Sequence, residues 1–566
     1  MPTASGAASR VMPSPSEILE FPRLPGGPAA AASPRVSPTR RPRPALVAAA
    51  VAVAALALLP AVYLVIRAAG AGAGGIAETL FTARIAGLLL RTTLLCAAVT
   101  ATAVAIALPV AWLTMRTDLP GRRAWVVVSA LPLVIPSYVG GYAFAAALGP
   151  RGLLQGWLEP LGVERLPAIY GFGGAWLVLS LFTYPLVLLP VRAALASSDP
   201  SLEEASRALG RGRRATLLRV TLPQLRPATV SGALLVALYT LSDFGAVSLM
   251  RFDSLSRAIF VTYRSSFDRT HAAVLGLILV GLTTSVLVIE LRTRGRGVQH
   301  SSHRGVRRPP HMTQLGAWRW PGLAVCGFVV GLALLVPVTV IAVWLGRGIA
   351  SGVSFDLVFV PAVRSMQASV LGAGATVVCA WPIALLAARY KGSVVRLTET
   401  SASVGYALPG IVIALSLVFF GARLPFIYQT LFLLVLAYVV HFLAQATGTL
   451  RASIAQIHPG IEEAARSLGA GPGEVLRRVT LPLIRPGVLT AFALVFLTVM
   501  KELPATLLLA PAGFHTLATE VWDAAAAGSF AKASVPALAL VLLSSAPMAV
   551  LVAREQRQTA YRPSGW

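Results

Sequence analysis

The chain alternates long apolar runs with short polar segments rich in arginine. A bilayer-spanning helix needs about 20 predominantly apolar residues. Twelve runs of that kind lie near 45–67, 85–113, 124–148, 168–195, 228–250, 272–291, 320–345, 366–388, 400–421, 426–450, 487–510 and 534–553. They predict an all-α polytopic membrane protein of about twelve spans. Prolines fall inside several runs, among them Pro109, Pro132, Pro136, Pro382 and Pro409. Membrane helices tolerate interior proline where neighbours satisfy the freed carbonyls.

The pattern repeats. Residues 202–227 read LEEASRALGRGRRATLLRVTLPQLRP, and 461–486 read IEEAARSLGAGPGEVLRRVTLPLIRP, an ungapped offset of 259. Nearer the start of each half, Pro109 matches Pro382 and Pro136 matches Pro409 at an offset of 273. The difference falls in the longer loop near 149–167. The expected organisation is a six-helix half at 45–291, a basic linker at 292–319 and a second six-helix half at 320–553. Tails of 1–44 and 554–566 flank them. Six spans per half place the repeats in parallel orientation, around an axis along the membrane normal.

Composition agrees with the pattern. Hydrophobic residues make up 56% of the 566-residue chain and charged residues 12%, about half the usual soluble share. The net charge of +26 comes almost wholly from arginine. Nucleic-acid binding is one reading of such a balance, but the arginines sit between apolar runs, where the positive-inside rule accounts for them. With the N-terminus inside, roughly 34 of the 48 basic residues fall on inner segments. Both termini, the linker and both repeated segments are then cytoplasmic. The Pro-, Ala-, Ser- and Arg-rich first 44 residues lack the organisation of a signal peptide and predict a disordered tail. Cys96, Cys326 and Cys379 lie singly in apolar runs and predict small buried hydrophobes. His300, His303 and His311 belong to a solvated linker. No phosphate-binding G-x-x-x-x-G-K-[ST] loop, zinc spacing or catalytic triad is present, so the chain is read as a non-enzyme that cannot hydrolyse ATP alone.

Each repeated segment predicts a helix, a glycine turn and a second helix. Asp199-Pro200 reads as a cap followed by a first-turn proline. Glu203 and Glu204, like Glu462 and Glu463 after Pro459, suit the positive end of a helix dipole. Gly210 and Gly469 end the first helices. Thr221-Leu222-Pro223 and Thr480-Leu481-Pro482 lead into the next run. A small apolar face ringed by charge suits docking into a groove of another protein.

The pattern E-A-A-x-x-x-G, followed by an aliphatic residue, x, Leu and Pro, resembles the EAA loop of ABC importer permeases. Glu204, Ala205, Gly210, Val220, Leu222 and Pro223 carry it in the first copy, with Ser206 departing from the family's second alanine. Glu463, Ala464, Ala465, Gly469, Val479, Leu481 and Pro482 carry it in the second. Segments 241–260 and 500–522 extend the resemblance to fused ferric-iron permeases, a branch related to thiamine permeases. It implies two copies of a separate ATPase docked on the loops, with ATP and magnesium on that partner and no cofactor on this chain. It also implies an external solute-binding protein, a bacterial inner-membrane location and ferric iron as cargo, with thiamine or another small solute the alternative. A secondary transporter with internal repeats is the rival from another class.

Charges inside spans cost roughly 2.5–3.5 kcal/mol each, so they tend to mark function or pairing. Asp243 aligns with Glu502, and Lys501 precedes the latter. Two carboxylates facing one axis suit a hard cation; the alternative is that Lys501 neutralises one and the group is structural. Tyr138 and Tyr142, in Pro136-Ser137-Tyr138-Val139-Gly140-Gly141-Tyr142, offer phenolic oxygens to the same pathway; interfacial packing is the alternative. No residue set identifies a bound metal.

Overall fold

The computed structural model describes residues 42–560 except 71, 73, 75–79, 151, 164–166, 199, 266–269, 295–311 and 354–355. Nearly all of the 1–44 tail, Asp199, the three linker histidines and the last six residues lie outside the described set. Helices dominate what is described. The first half runs α1 (Pro44–Ala69), α2 (Ala83–Arg116), α3 (Arg122–Val128), α4 (Ser137–Leu148), α5 (Phe172–Thr183), α6 (Pro185–Ser197), α7 (Pro200–Ala208), α8 (Leu222–Ser242), α9 (Gly245–Leu249), α10 (Leu255–Ser265) and α11 (Thr270–Arg294). The second runs α12 (Arg319–Val330), α13 (Val336–Ala350), α14 (Asp356–Arg389), α15 (Ser393–Ala407), α16 (Gly410–Gly421), α17 (Leu431–Ala455), α18 (Pro459–Ser467), α19 (Leu481–Met500), α20 (Pro504–Leu509), α21 (Leu517–Ala526) and α22 (Phe530–Ala560).

Among the described residues nine helices are long and apolar enough to cross a membrane, and two bent pairs raise this to eleven. The bent pairs stand where the spans near 124–148 and 400–421 were expected. They turn by 93° and 104°. The cause is local: Pro136 and Pro409 begin the second arms, and Ile135 and Leu408 before them are extended, with ψ of 121° and 120°. The proline ring disfavours the helical region for the preceding residue. The twelfth expected span is represented by the shorter apolar helix Phe530–Ser545.

The spans expected at 228–250 and 487–510 also end early, at Ser242 and Met500. Each chain breaks at its charged residues and restarts as a short helix, α9 or α20. By contrast Pro109 and Pro382 sit within unbroken 34-residue helices.

The halves interlock. Helix α1 packs on its own α11 and on α14, α15 and α16 of the other half; α13 packs on its own α22 and on α4 across the divide. Tyr63 in α1 donates to the Phe419 carbonyl at 3.2 Å, and the Trp344 indole in α13 to the Ala146 carbonyl at 3.3 Å. Ala146 and Phe419 are 273 residues apart, so equivalent carbonyls receive the opposite half's first span. One large core, running through both halves, contains nearly all the buried apolar residues.

Candidate functional site

The two bent spans and the two interrupted spans converge on a cavity of about 700 Å³. Its wall draws on equivalent positions of both halves: Asp243 opposite Glu502, Ser137 opposite Gly410, Phe182 opposite His441. The cavity therefore sits between the halves, on the axis that relates them.

Both carboxylates are placed by the breaks they occupy. Asp243 is 8% exposed and Glu502 also 8%. Asp243 Oδ1 accepts from the amides of Ala246 (3.0 Å) and Val247 (3.3 Å), and Ser137 Oγ donates to Oδ2. Glu502 Oε1 accepts from the Ala505 amide (2.9 Å); its Oε2 accepts from the Thr506 amide (3.0 Å) and hydroxyl (3.1 Å). Each thus satisfies amides that the first turn of a helix leaves without partners. The supporting hydroxyl comes from α4 in one half and from the short helix itself in the other.

Lys501 does not pair with either carboxylate. Its Nζ donates to the Leu133 carbonyl of the first half at 3.1 Å, across the axis. Tyr138 lines the cavity, and its buried hydroxyl has no partner among the described residues. The structure places Tyr142 outside the cavity lining, with its hydroxyl donating to the Phe530 carbonyl at 2.8 Å. Among the described residues no cluster of three or more His, Cys, Asp or Glu side chains forms a ready metal cage.

The repeated segments project from the bundle as two matching loops. Helices α7 and α18 end at Gly210 and Gly469, both left-handed with φ of 79° and 86°. A short helix and a π turn, Leu217–Thr221 or Leu476–Thr480, then continue into α8 and α19. Leu222 and Pro223, and Leu481 and Pro482, open those long helices. The two glutamates of each loop have separate roles. Glu203 and Glu462 turn inward: each accepts from a threonine hydroxyl, Thr221 or Thr480, at 3.0 Å. Each also faces an arginine at the end of a long helix, Arg116 at 3.7 Å or Arg389 at 3.0 Å. Glu204, Ala205, Glu463 and Ala464 are exposed. Beside them Leu209 and Leu468 are 79% and 89% exposed, an apolar face left uncovered by the described residues.

Ser206, the departure from the repeated motif, has a partner in kind. Its buried hydroxyl lies 3.1 Å from that of Thr216; the second copy has Ala465 and Val475 at those places. A polar pair in one loop replaces an apolar pair in the other.

Sequence reasoning missed the arginine anchors, although Arg116 and Arg389 stand at the same 273-residue offset as the prolines. It also missed Arg192, buried within the span Phe172–Ser197, where it donates to the Val126 carbonyl and Ser129 hydroxyl, both at 2.6 Å. His441 and Gln445 line the cavity; only the offset of 259, which sets them against Phe182 and Leu186, marks them in the sequence.

This arrangement defines a membrane permease core: two interlocked halves, a cavity on their shared axis, and a pair of equivalent loops projecting from the bundle. The chain belongs to the family of binding-protein-dependent transport system inner membrane components, whose model matches residues 103–292 and 380–558. It is thus an ABC-type permease and a multi-pass inner-membrane protein, not a secondary transporter. It is 36% identical over 499 residues, 87% of this chain and 95% of the relative, to the Fe(3+)-transport system permease protein FbpB 2 of Haemophilus influenzae. Over 422 residues, 70% of this chain and 61% of the relative, it is 25% identical to the ferric transport system permease protein FbpB of Actinobacillus pleuropneumoniae. A 142-residue stretch, 24% of this chain and 58% of the relative, is 34% identical to the molybdenum transport system permease protein ModB of Escherichia coli.

Proposed function

We propose that this chain is the translocation subunit of an ATP-driven importer of ferric iron. A separate ATPase binds one copy to each loop, with ATP and magnesium held there, and an external binding protein delivers cargo. Nucleotide-driven closure of the ATPase pair moves the loops and alternates access to the cavity. The observation that carries the cargo is the 36% identity along 95% of a permease named for Fe(3+) transport. The loops support the drive: each presents an exposed leucine while its glutamate ties it to a long helix, so force on the loop reaches the bundle. The arginine distribution supports a cytoplasmic side for both loops and both termini.

Co-expression with an ATPase subunit tests the assembly. A stable complex with two ATPase copies is expected, and the purified complex in liposomes is expected to take up radioactive ferric iron only with ATP and the loaded binding protein. ATP-independent uptake by the isolated chain would refute the reading.

A further inference from the structure

The cavity's two walls descend from one repeat, yet they are chemically unlike. Where the first half has Phe182 and Leu186, the second has His441 and Gln445, and where the first has Ser137 the second has Gly410. These differences change what surrounds the carboxylates. In the first half both Asp243 oxygens are engaged, Oδ1 by two amides and Oδ2 by the Ser137 hydroxyl. In the second half no hydroxyl stands at 410. Glu502 is engaged to the same extent, Oε1 by the Ala505 amide and Oε2 by the Thr506 amide and hydroxyl, so one oxygen of each carboxylate takes a single donor and keeps acceptor capacity; what differs is the neighbourhood.

The missing side chain of Gly410 leaves a gap bordered by two polar groups and by Pro504. A Cβ there would stand 3.1 Å from Glu502 Oε1 and 3.5 Å from His441 Nε2. The Tyr138 hydroxyl, on a residue 3% exposed and lining the same cavity, has no partner among the described residues. Lys501 is held by Leu133, so its ammonium does not cancel Glu502 by direct pairing.

We infer that cargo is recognised asymmetrically, at a transient site for a hard cation formed by Glu502 Oε1, the His441 imidazole and the Tyr138 phenol. The site deepens the ferric reading above and rests on it. Carboxylate and phenolic oxygens with one imidazole are donors that iron accepts. Two or three protein ligands with room for water bind weakly enough to release, as a conducting site must. Asp243 serves as a helix cap, and the first half carries Phe182 and Leu186 where the second has His441 and Gln445.

The repeat itself supplies the test. His441→Phe and Gly410→Ser install the residues that the first half carries at equivalent positions. Gly410→Ala adds one methyl 3.1 Å from Glu502 Oε1. Each variant, assembled with its ATPase in liposomes and supplied with binding protein loaded with radioactive ferric iron, is read as iron imported per ATP hydrolysed. The expected result is a fall of about tenfold or more in His441→Phe, and in at least one Gly410 variant. Unchanged iron per ATP in His441→Phe and in whichever Gly410 variant assembles would overturn the site. A wild-type complex that couples ATP to its binding protein but imports no iron would overturn the ferric reading, and the cation site with it. Uptake lost in variants while wild-type imports iron separates the two cases.

Discussion

Arg389 Nη2 stands 3.0 Å from Glu462 Oε1, with both side chains largely buried. The contact ties the last turn of the longest helix in the second half to the loop that follows three helices later. Arg116 and Glu203 make the looser equivalent at 3.7 Å. The arginines also bind carbonyls just ahead of the loops, Ile457 at 3.0 Å and Leu195 at 3.4 Å. Each loop is therefore fastened at its base, not merely tethered by chain continuity.

Removing the inner glutamate loosens that fastening. Glu462→Gln exchanges a charge-assisted contact for a neutral one, at a cost of about 1–3 kcal/mol when a partly buried partner is left short of its acceptor. Hydrogen exchange over 459–480 is expected to accelerate, and iron per ATP to fall. Glu463→Gln, at an exposed neighbour, is expected to leave that exchange unchanged and to act on ATPase affinity. Equal exchange in both variants would contradict the division of roles.

The Ser206–Thr216 pair lends itself to a double-mutant cycle. Thr216→Val alone buries the Ser206 hydroxyl without its partner, at about 1–2 kcal/mol. Adding Ser206→Ala reproduces the Ala465–Val475 pair of the other loop and is expected to restore most of the loss. Thermal unfolding of the four proteins gives the coupling energy directly; additive losses would show that the pair does not interact.

A Cβ placed on Gly210 or Gly469 would meet nothing within 4 Å, so only backbone conformation resists substitution. Valine at either site forces a β-branched residue to positive φ, at about 1–3 kcal/mol, and is expected to uncouple ATP hydrolysis from uptake. Asparagine tolerates that region and is expected to be mild. Undiminished coupling in the double valine variant would sink the turn argument.

The carboxylates at the helix breaks separate by chemistry. Asp243→Asn keeps an acceptor for the α9 amides and is expected to preserve assembly, whereas Asp243→Ala removes the cap at about 1–2 kcal/mol. Glu502→Gln keeps the α20 cap but loses charge, and is expected to lower uptake while unfolding temperature holds within a few degrees. Full uptake in the Asp243→Asn, Glu502→Gln double variant would remove both from the pathway.

Much of this was legible in the chain. Apolar runs predict helices because a span must satisfy its own backbone in lipid, and an ungapped repeat predicts paired loops whatever their surroundings. Bends at Pro136 and Pro409 were within reach of local rules, since the residue before proline avoids the helical region. The ends at Ser242 and Met500 were not: apolar composition continues through 249 and 509, and only the capping of α9 and α20 by Asp243 and Glu502 shows where the chain turns.

By itself, then, the sequence determined the helical class, the duplication, the loop pattern and the family, all of which depend on neighbours along the chain or on periodic composition. The tertiary structure alone decided which glutamate of each loop points inward and that Lys501 reaches Leu133. It alone placed Tyr142 against Phe530 while Tyr138 borders the cavity. The physical reason is that these outcomes are contacts between residues up to 388 apart, and the partner of a polar side chain is set by which helices pack together, a property no local stretch of sequence carries.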